Sequence, residues 1–177
     1  MQLSPLITPL FSYLTLFSHI LLVGIILSYI FRNSWGRGIV VFLSKNYLLL
    51  GFLVSLLAII GSLSFSNIVG FDPCVLCWWQ RVFIYPLPLL FLVALIKKDR
   101  GVYKYAIPLS LVGGIIALYH SYINLGGSSI LPCTAEGSAC AKLYVFEFGY
   151  IIIPLMSLTI ALYIITLSLI ARFGKEN

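Results

Sequence analysis

The four cysteines of the chain fall into two pairs, Cys74 with Cys77 and Cys133 with Cys140. Two thiols at Cys-x-x-Cys spacing can open and close a disulfide, and the thiolate is the form that attacks another disulfide. Pro73 directly before Cys74 and the apolar run after Cys77 set this pair at a helix start, where unpaired N–H groups and the helix dipole favour a thiolate. Arg81 follows Cys77 by four residues, so both project from one helical face. A guanidinium there can stabilise a thiolate or an acceptor gathering negative charge. Plainer readings exist: Cys74 and Cys77 as a structural disulfide or half a zinc site, Arg81 as an interfacial anchor, Trp78 and Trp79 as an aromatic belt. Zinc suits the spacings poorly, because Cys-x2-Cys plus Cys-x6-Cys matches no usual closed site, and no metal is expected. Haem attachment fits worse, since Trp78 stands where that motif needs His.

Cys133 and Cys140 lie in a connection, 125–143, rich in Gly, Ser and Thr, which reads as a mobile loop. A disulfide closing so short a loop adds little stability. Exchange chemistry is the better reason for it: an exposed disulfide there can meet an incoming thiol and then swing toward Cys74 and Cys77. His120 sits near the outer end of the preceding hydrophobic run, either as a packed interface residue or as a ligand contact. His19 reads as structural, and Asp72 and Glu147 as solvated boundary residues.

The elements that position these groups follow from composition. Of 177 residues 61% are hydrophobic and only 9% charged, which excludes a soluble globular domain and points to an all-α, polytopic membrane helical bundle. The net charge of +6 is scattered through short connections, so it is an orientation signal and not a nucleic-acid surface. Residues 1–31 hold no Lys or Arg, which reads as a retained span and not a cleaved signal. Uncharged runs bounded by charges give five spans, at 10–31, 47–65, 77–96, 105–123 and 148–171. Pro86 and Pro88 are expected to bend the third, while Pro108 and Pro154 fall near span starts. Nine of the eleven basic residues occupy alternate connections, leaving Arg81 and Lys142 on the other face. The positive-inside rule therefore places the N-terminus outside, the C-terminus inside and both cysteine pairs on the outer side, where dithiols persist as disulfides.

At this point the stretch Pro73-Cys74-Val75-Leu76-Cys77-Trp78-Trp79-Gln80-Arg81 resembles the signature of the DsbB/BdbC family of disulfide bond formation proteins. The stretch from Leu131-Pro132-Cys133 through Cys140 to Phe148-Gly149-Tyr150-Ile151-Ile152-Ile153-Pro154 is similar too. Vitamin K epoxide reductase-like proteins also join a loop pair to a CxxC and a quinone, but their loop pair precedes the CxxC, and here it follows. The resemblance covers about 47–172, that is four spans and both pairs. It implies a bacterial inner-membrane thiol:quinone oxidoreductase with a four-span core at 46–177 and an extra N-terminal span at 1–45. Cys133 and Cys140 would take electrons from a DsbA-like thioredoxin-fold partner, with Cys133 forming the mixed disulfide. Cys74 would exchange with that pair, and Cys77 would pass electrons to a bound ubiquinone or menaquinone beside Arg81 and His120. The chain departs from the family pattern in its extra first span and in having six residues between the loop cysteines. A quinone-linked thiol reductase, and a non-enzymatic bundle with structural disulfides or zinc, are the alternatives.

Overall fold

A computed structural model describes residues 4–32, 35–128 and 140–173. Its helices are α1 (Ser4–Ile30), α2 (Arg37–Leu63), α3 (Val75–Ile84), α4 (Pro86–Lys97), α5 (Tyr103–Asn124) and α6 (Ile153–Phe173). A π turn, Ser64–Ile68, extends α2, and a short 3₁₀ turn, Arg100–Val102, leads into α5. Together they make five segments long and apolar enough to cross a membrane: Leu6–Ile30, Arg37–Ile68, Val75–Lys97, Arg100–Asn124 and Ile153–Phe173. The all-α polytopic bundle expected from composition is the observed architecture.

The differences lie at the boundaries. α2 starts well before the expected 47 because Arg37 and Lys45 do not stop it; both are exposed, and long basic side chains reach past an apolar zone while the backbone stays helical. The third segment is two helices: Pro86 cannot donate a backbone hydrogen bond, so α3 ends at Ile84 and α4 restarts at Pro86 across Tyr85. α6 begins at Ile153 and not at 148. Phe148 and Gly149 take left-handed φ values of 53° and 76°, and Glu147 and Ile151 exchange backbone hydrogen bonds of 3.0 and 2.8 Å, closing a tight turn before the helix.

Packing makes a ring of four crossing units. α5 lies along α6, α6 along α2, α2 along α4, and α3 along α5. Tyr47, Leu87, Phe91, Ala106 and Ile164 fill its centre toward one end. Gly51 lets α2 approach α4 there, since a Cβ at that position would stand 2.5 Å from the Phe91 ring. At the other end a second cluster joins Cys74, Leu76, Ile123 and Cys140. α1 stands outside the ring, against α2, α6 and the π turn.

Candidate functional site

The site is built at the first turn of α3. Cys74 has extended backbone (φ −72°, ψ 173°) and serves as the N-cap, its sulfur accepting from the Cys77 N–H at 3.4 Å. This brings the two sulfurs to 3.2 Å, with the Cys74 thiol donating to Cys77. That hydrogen bond, with burial, pushes the Cys74 thiol up to about 12, against a smaller opposing pull from His120. The Cys74 thiol therefore keeps its proton and donates it to Cys77 Sγ, while the helix-terminal N–H of Cys77 donates to Cys74 Sγ.

α5 supplies the next group. His120 is 4% exposed, and its Nε2 lies 3.6 Å from Cys74 Sγ and 3.1 Å from the carbonyl oxygen of Cys140. A carbonyl oxygen only accepts, so Nε2 carries the proton; Nδ1 then accepts from the Gln80 amide at 3.0 Å. Asn124, one turn beyond His120, donates to the same Cys140 carbonyl at 2.6 Å. Two donors from α5 thus hold the end of the second cysteine connection over the first pair. Cys140 is 1% exposed and packs with Cys74, so the expected solvent-exposed loop cysteine is buried at this position. Cys133 lies outside the described residues.

Cys74, Cys77, Arg81 and His120 all line one cavity of about 440 Å³. Most of its wall is apolar, including Phe11, Leu57, Phe65, Ile84, Ile153 and Met156. Of the charged residues that line it, Asp72 and Lys142 are exposed, whereas Arg81 is half-buried. Arg81 Nε donates to Ser62 Oγ at 3.0 Å, and Nη2 donates to the Ser62 carbonyl at 3.3 Å and to Ser66 Oγ. The guanidinium also lies over the Trp78 and Tyr85 rings, at 5.1 and 6.0 Å. Its partners among the described residues are all neutral. These bonds hold the head in the cavity wall. Trp78 and Trp79 are themselves exposed, as a belt requires.

Of the residues singled out in the sequence, Cys74, Cys77, His120 and Cys140 come together and Arg81 shares their cavity. Sequence reasoning missed Gln80, Asn124, Ser62 and Ser66. Gln80 and Asn124 had a signal, being amides within or at the end of apolar runs, one turn from Cys77 and His120 respectively. The two serines, four residues apart on α2 and the π turn that extends it, carry none. His19 bonds Thr159 at 2.8 Å and Tyr150 at 3.2 Å, a structural role as expected but with partners no local pattern announces.

Among the described residues, Cys74, Cys77 and His120 could also hold a metal, their ligand atoms lying within 4.8 Å of one another. A metal there would have to take the Nε2 lone pair, which the bond to the Cys140 carbonyl leaves protonated.

Residues 44–171 match the family described as disulfide bond formation protein DsbB. The chain is 44% identical over 113 residues to the SPbeta prophage-derived disulfide bond formation protein B of Bacillus subtilis, covering 64% of this chain and 76% of that one. It is 39% identical over 134 residues to disulfide bond formation protein C of the same organism (74% and 96% covered). A probable disulfide formation protein of Metapseudomonas resinovorans is 36% identical over 129 residues (72% and 90%). No solved structure matches the chain.

Proposed function

The chain belongs to the DsbB family of disulfide bond formation proteins, and from that premise we propose that it is a membrane thiol:quinone oxidoreductase reoxidising a DsbA-like thioredoxin-fold protein. The observation that carries the reading is that buried Cys74, His120 and Cys140 gather with the half-buried Cys77 beside an apolar cavity that holds a half-buried guanidinium without an acidic partner among the described residues.

One piece of geometry supports the wiring, the packing of Cys74 against Cys140. Cys133 attacks nothing at rest; as half of a disulfide with Cys140 it accepts the partner's thiolate, and the partner leaves oxidised while the loop pair becomes a dithiol. That dithiol reduces a Cys74–Cys77 disulfide, with Cys74 as the sulfur attacked, because Cys74 packs against Cys140. Each exchange moves two electrons and two protons. His120 and Asn124 orient the loop end for this step, and Gln80 fixes the His120 tautomer. The cavity would hold a quinone, which would supply the terminal oxidant for the two electrons and two protons that the Cys74–Cys77 dithiol gives up. The residues present fit such a molecule: apolar walls for a hydrocarbon body, and Arg81 to stabilise negative charge on an oxygen beside Cys77. The side chains of Ser62 and Ser66 hold that guanidinium in place.

Orientation belongs to the same proposal. The basic residues of the α1–α2 and α4–α5 connections and the end of α6 lie opposite the cysteine end, which supports cysteines on the extracytoplasmic side of a bacterial inner membrane and an N-out, C-in topology. Residues 46–177 would be the redox core and 1–45 an additional span.

The test is a single turnover. The purified chain, reduced and freed of reductant, is mixed with quinone, and quinol formation is followed by absorbance. Two quinols per chain, one for each dithiol and both lost in Cys77→Ser, are expected; tight binding of zinc to the reduced chain, with no quinol formed, would favour the metal reading.

A further inference from the structure

We infer that α1 forms the wall on which the hydrocarbon tail of the bound quinone lies, and so sets the chain's preference for long-tailed, isoprenoid quinones over tail-less ones; this rests on the quinone reading above. α1 precedes residue 44, where the family match begins. The match to the Bacillus subtilis disulfide bond formation protein C takes in 96% of that protein and only 74% of this chain, so about a quarter of this chain has no counterpart there.

Yet α1 contributes directly to the cavity that holds Cys77 and Arg81. Phe11, Leu14, Thr15, Phe17, Ser18 and Leu21 line it, and all but Phe17 stand at spacings of three, four, seven and ten residues from the first. That pattern is one face of a helix. The hydroxyls on this face are already bonded to the helix's own carbonyls, Thr15 to Phe11 at 2.7 Å and Ser18 to Thr15 at 2.7 Å, so the wall α1 presents is apolar in effect. The redox pair's Cys77, with Gln80, Arg81 and His120, lines it from α3 and α5. A cavity with redox and cationic groups on one side and a hydrocarbon wall on another fits an amphipathic occupant, with its polar head at α3 and its tail along α1.

The helix is also pinned where it faces the core. Tyr163 of α6 donates to the Ser18 carbonyl at 2.5 Å, and His19 bonds Thr159 of α6 at 2.8 Å. Polar bonds between crossing helices fix register and orientation, which a lipid-facing helix with no such role does not need. The pinned residues, 18 and 19, lie within the stretch that lines the cavity.

The experiment compares two acceptors, a benzoquinone bearing several isoprene units and its tail-less analogue, in steady-state oxidation of a reduced thioredoxin-fold protein by the full chain in nanodiscs. Two variants alter the wall in opposite senses: Ser18→Phe fills it and Leu14→Ala with Leu21→Ala hollows it. The ratio of KM for the tailed to the tail-less quinone is expected to rise about tenfold in either, the effect of roughly two lost buried methylenes. A ratio within twofold of the parent's in both variants, while the parent turns over, overturns the role of α1 alone. A parent chain that oxidises the partner with neither quinone overturns the quinone reading and this inference with it. Equilibrium binding of the tail-less quinone to both variants, measured by quenching of tryptophan fluorescence, is retained where only a tail contact is lost and vanishes in a variant that fails to fold.

Discussion

His120 Nε2 stands 3.1 Å from the carbonyl oxygen of Cys140 and 3.6 Å from the sulfur of Cys74, so one imidazole edge bridges the two cysteine pairs. Behind it Gln80 donates to Nδ1 from a site 6% exposed. The imidazole is thereby held in one tautomer, with its proton directed at the loop.

The first prediction concerns this relay of bonds. His120→Leu leaves the Gln80 amide buried without its partner and should cost about 1–3 kcal/mol of stability. The double variant His120→Leu with Gln80→Leu removes both polar groups and should recover part of the loss. Thermal unfolding midpoints of the detergent-solubilised chain check this; equal losses in the single and double variants would contradict it.

Cys74 gives a pH-dependent expectation. Its thiol is pushed up to about 12, first by its hydrogen bond to Cys77 and then by burial, so at pH 8 it is protonated and alkylates slowly. A raised value means the reactive thiolate appears only as pH climbs, so the rate should keep rising above pH 9, where an ordinary cysteine levels off. Cys77→Ala removes the larger cause and should speed alkylation of Cys74 at pH 8. Iodoacetamide labelling of the reduced chain, mapped to Cys74 by mass spectrometry, reads both effects.

Arg81→Ala should raise KM for quinone by about tenfold or more, the usual weight of a hydrogen bond to a charged group. Arg81→Lys keeps the charge but loses the fork that spans Ser62 and Ser66, and should fall between. An unchanged dependence of rate on quinone concentration in Arg81→Ala would return this residue to the role of an interfacial anchor.

How much of this was legible in the sequence depends on the kind of signal. Cys74, Cys77, Arg81 and the five crossing segments could be read because spacing along one helix, and runs of apolar residues, are local properties. The break at Tyr85 could be read for the same reason, since Pro86 forbids a continuous helix whatever surrounds it. The start of α2 could not, because charge marks where a side chain meets water and not where a helix begins. The start of α6 was missed because the left-handed turn at Phe148 rests on a backbone conformation that its residue type does not announce. The pairing of His120 with Gln80, and of Arg81 with Ser62 and Ser66, joins positions 40, 19 and 15 residues apart, which only the packed bundle brings together.

Gly51 provides a test of that packing. Gly51→Ala would set a Cβ about 2.5 Å from the Phe91 ring, so α2 and α4 must separate or the ring must turn. A loss of about 1–3 kcal/mol is expected from overpacking, against little change for Gly24→Ala, where a Cβ meets nothing within 4 Å. Thermal unfolding of the two variants side by side checks it.

The most direct measurement is multiple-turnover oxidation of a reduced thioredoxin-fold dithiol protein by the purified chain with quinone, compared across Cys74→Ser, Cys77→Ser, Cys133→Ser and Cys140→Ser. One partner disulfide per quinol is expected in the parent chain, with loss of turnover in all four variants. Sustained turnover in Cys77→Ser or Cys133→Ser, or net reduction of an oxidised partner by quinol as the favoured direction, would contradict it.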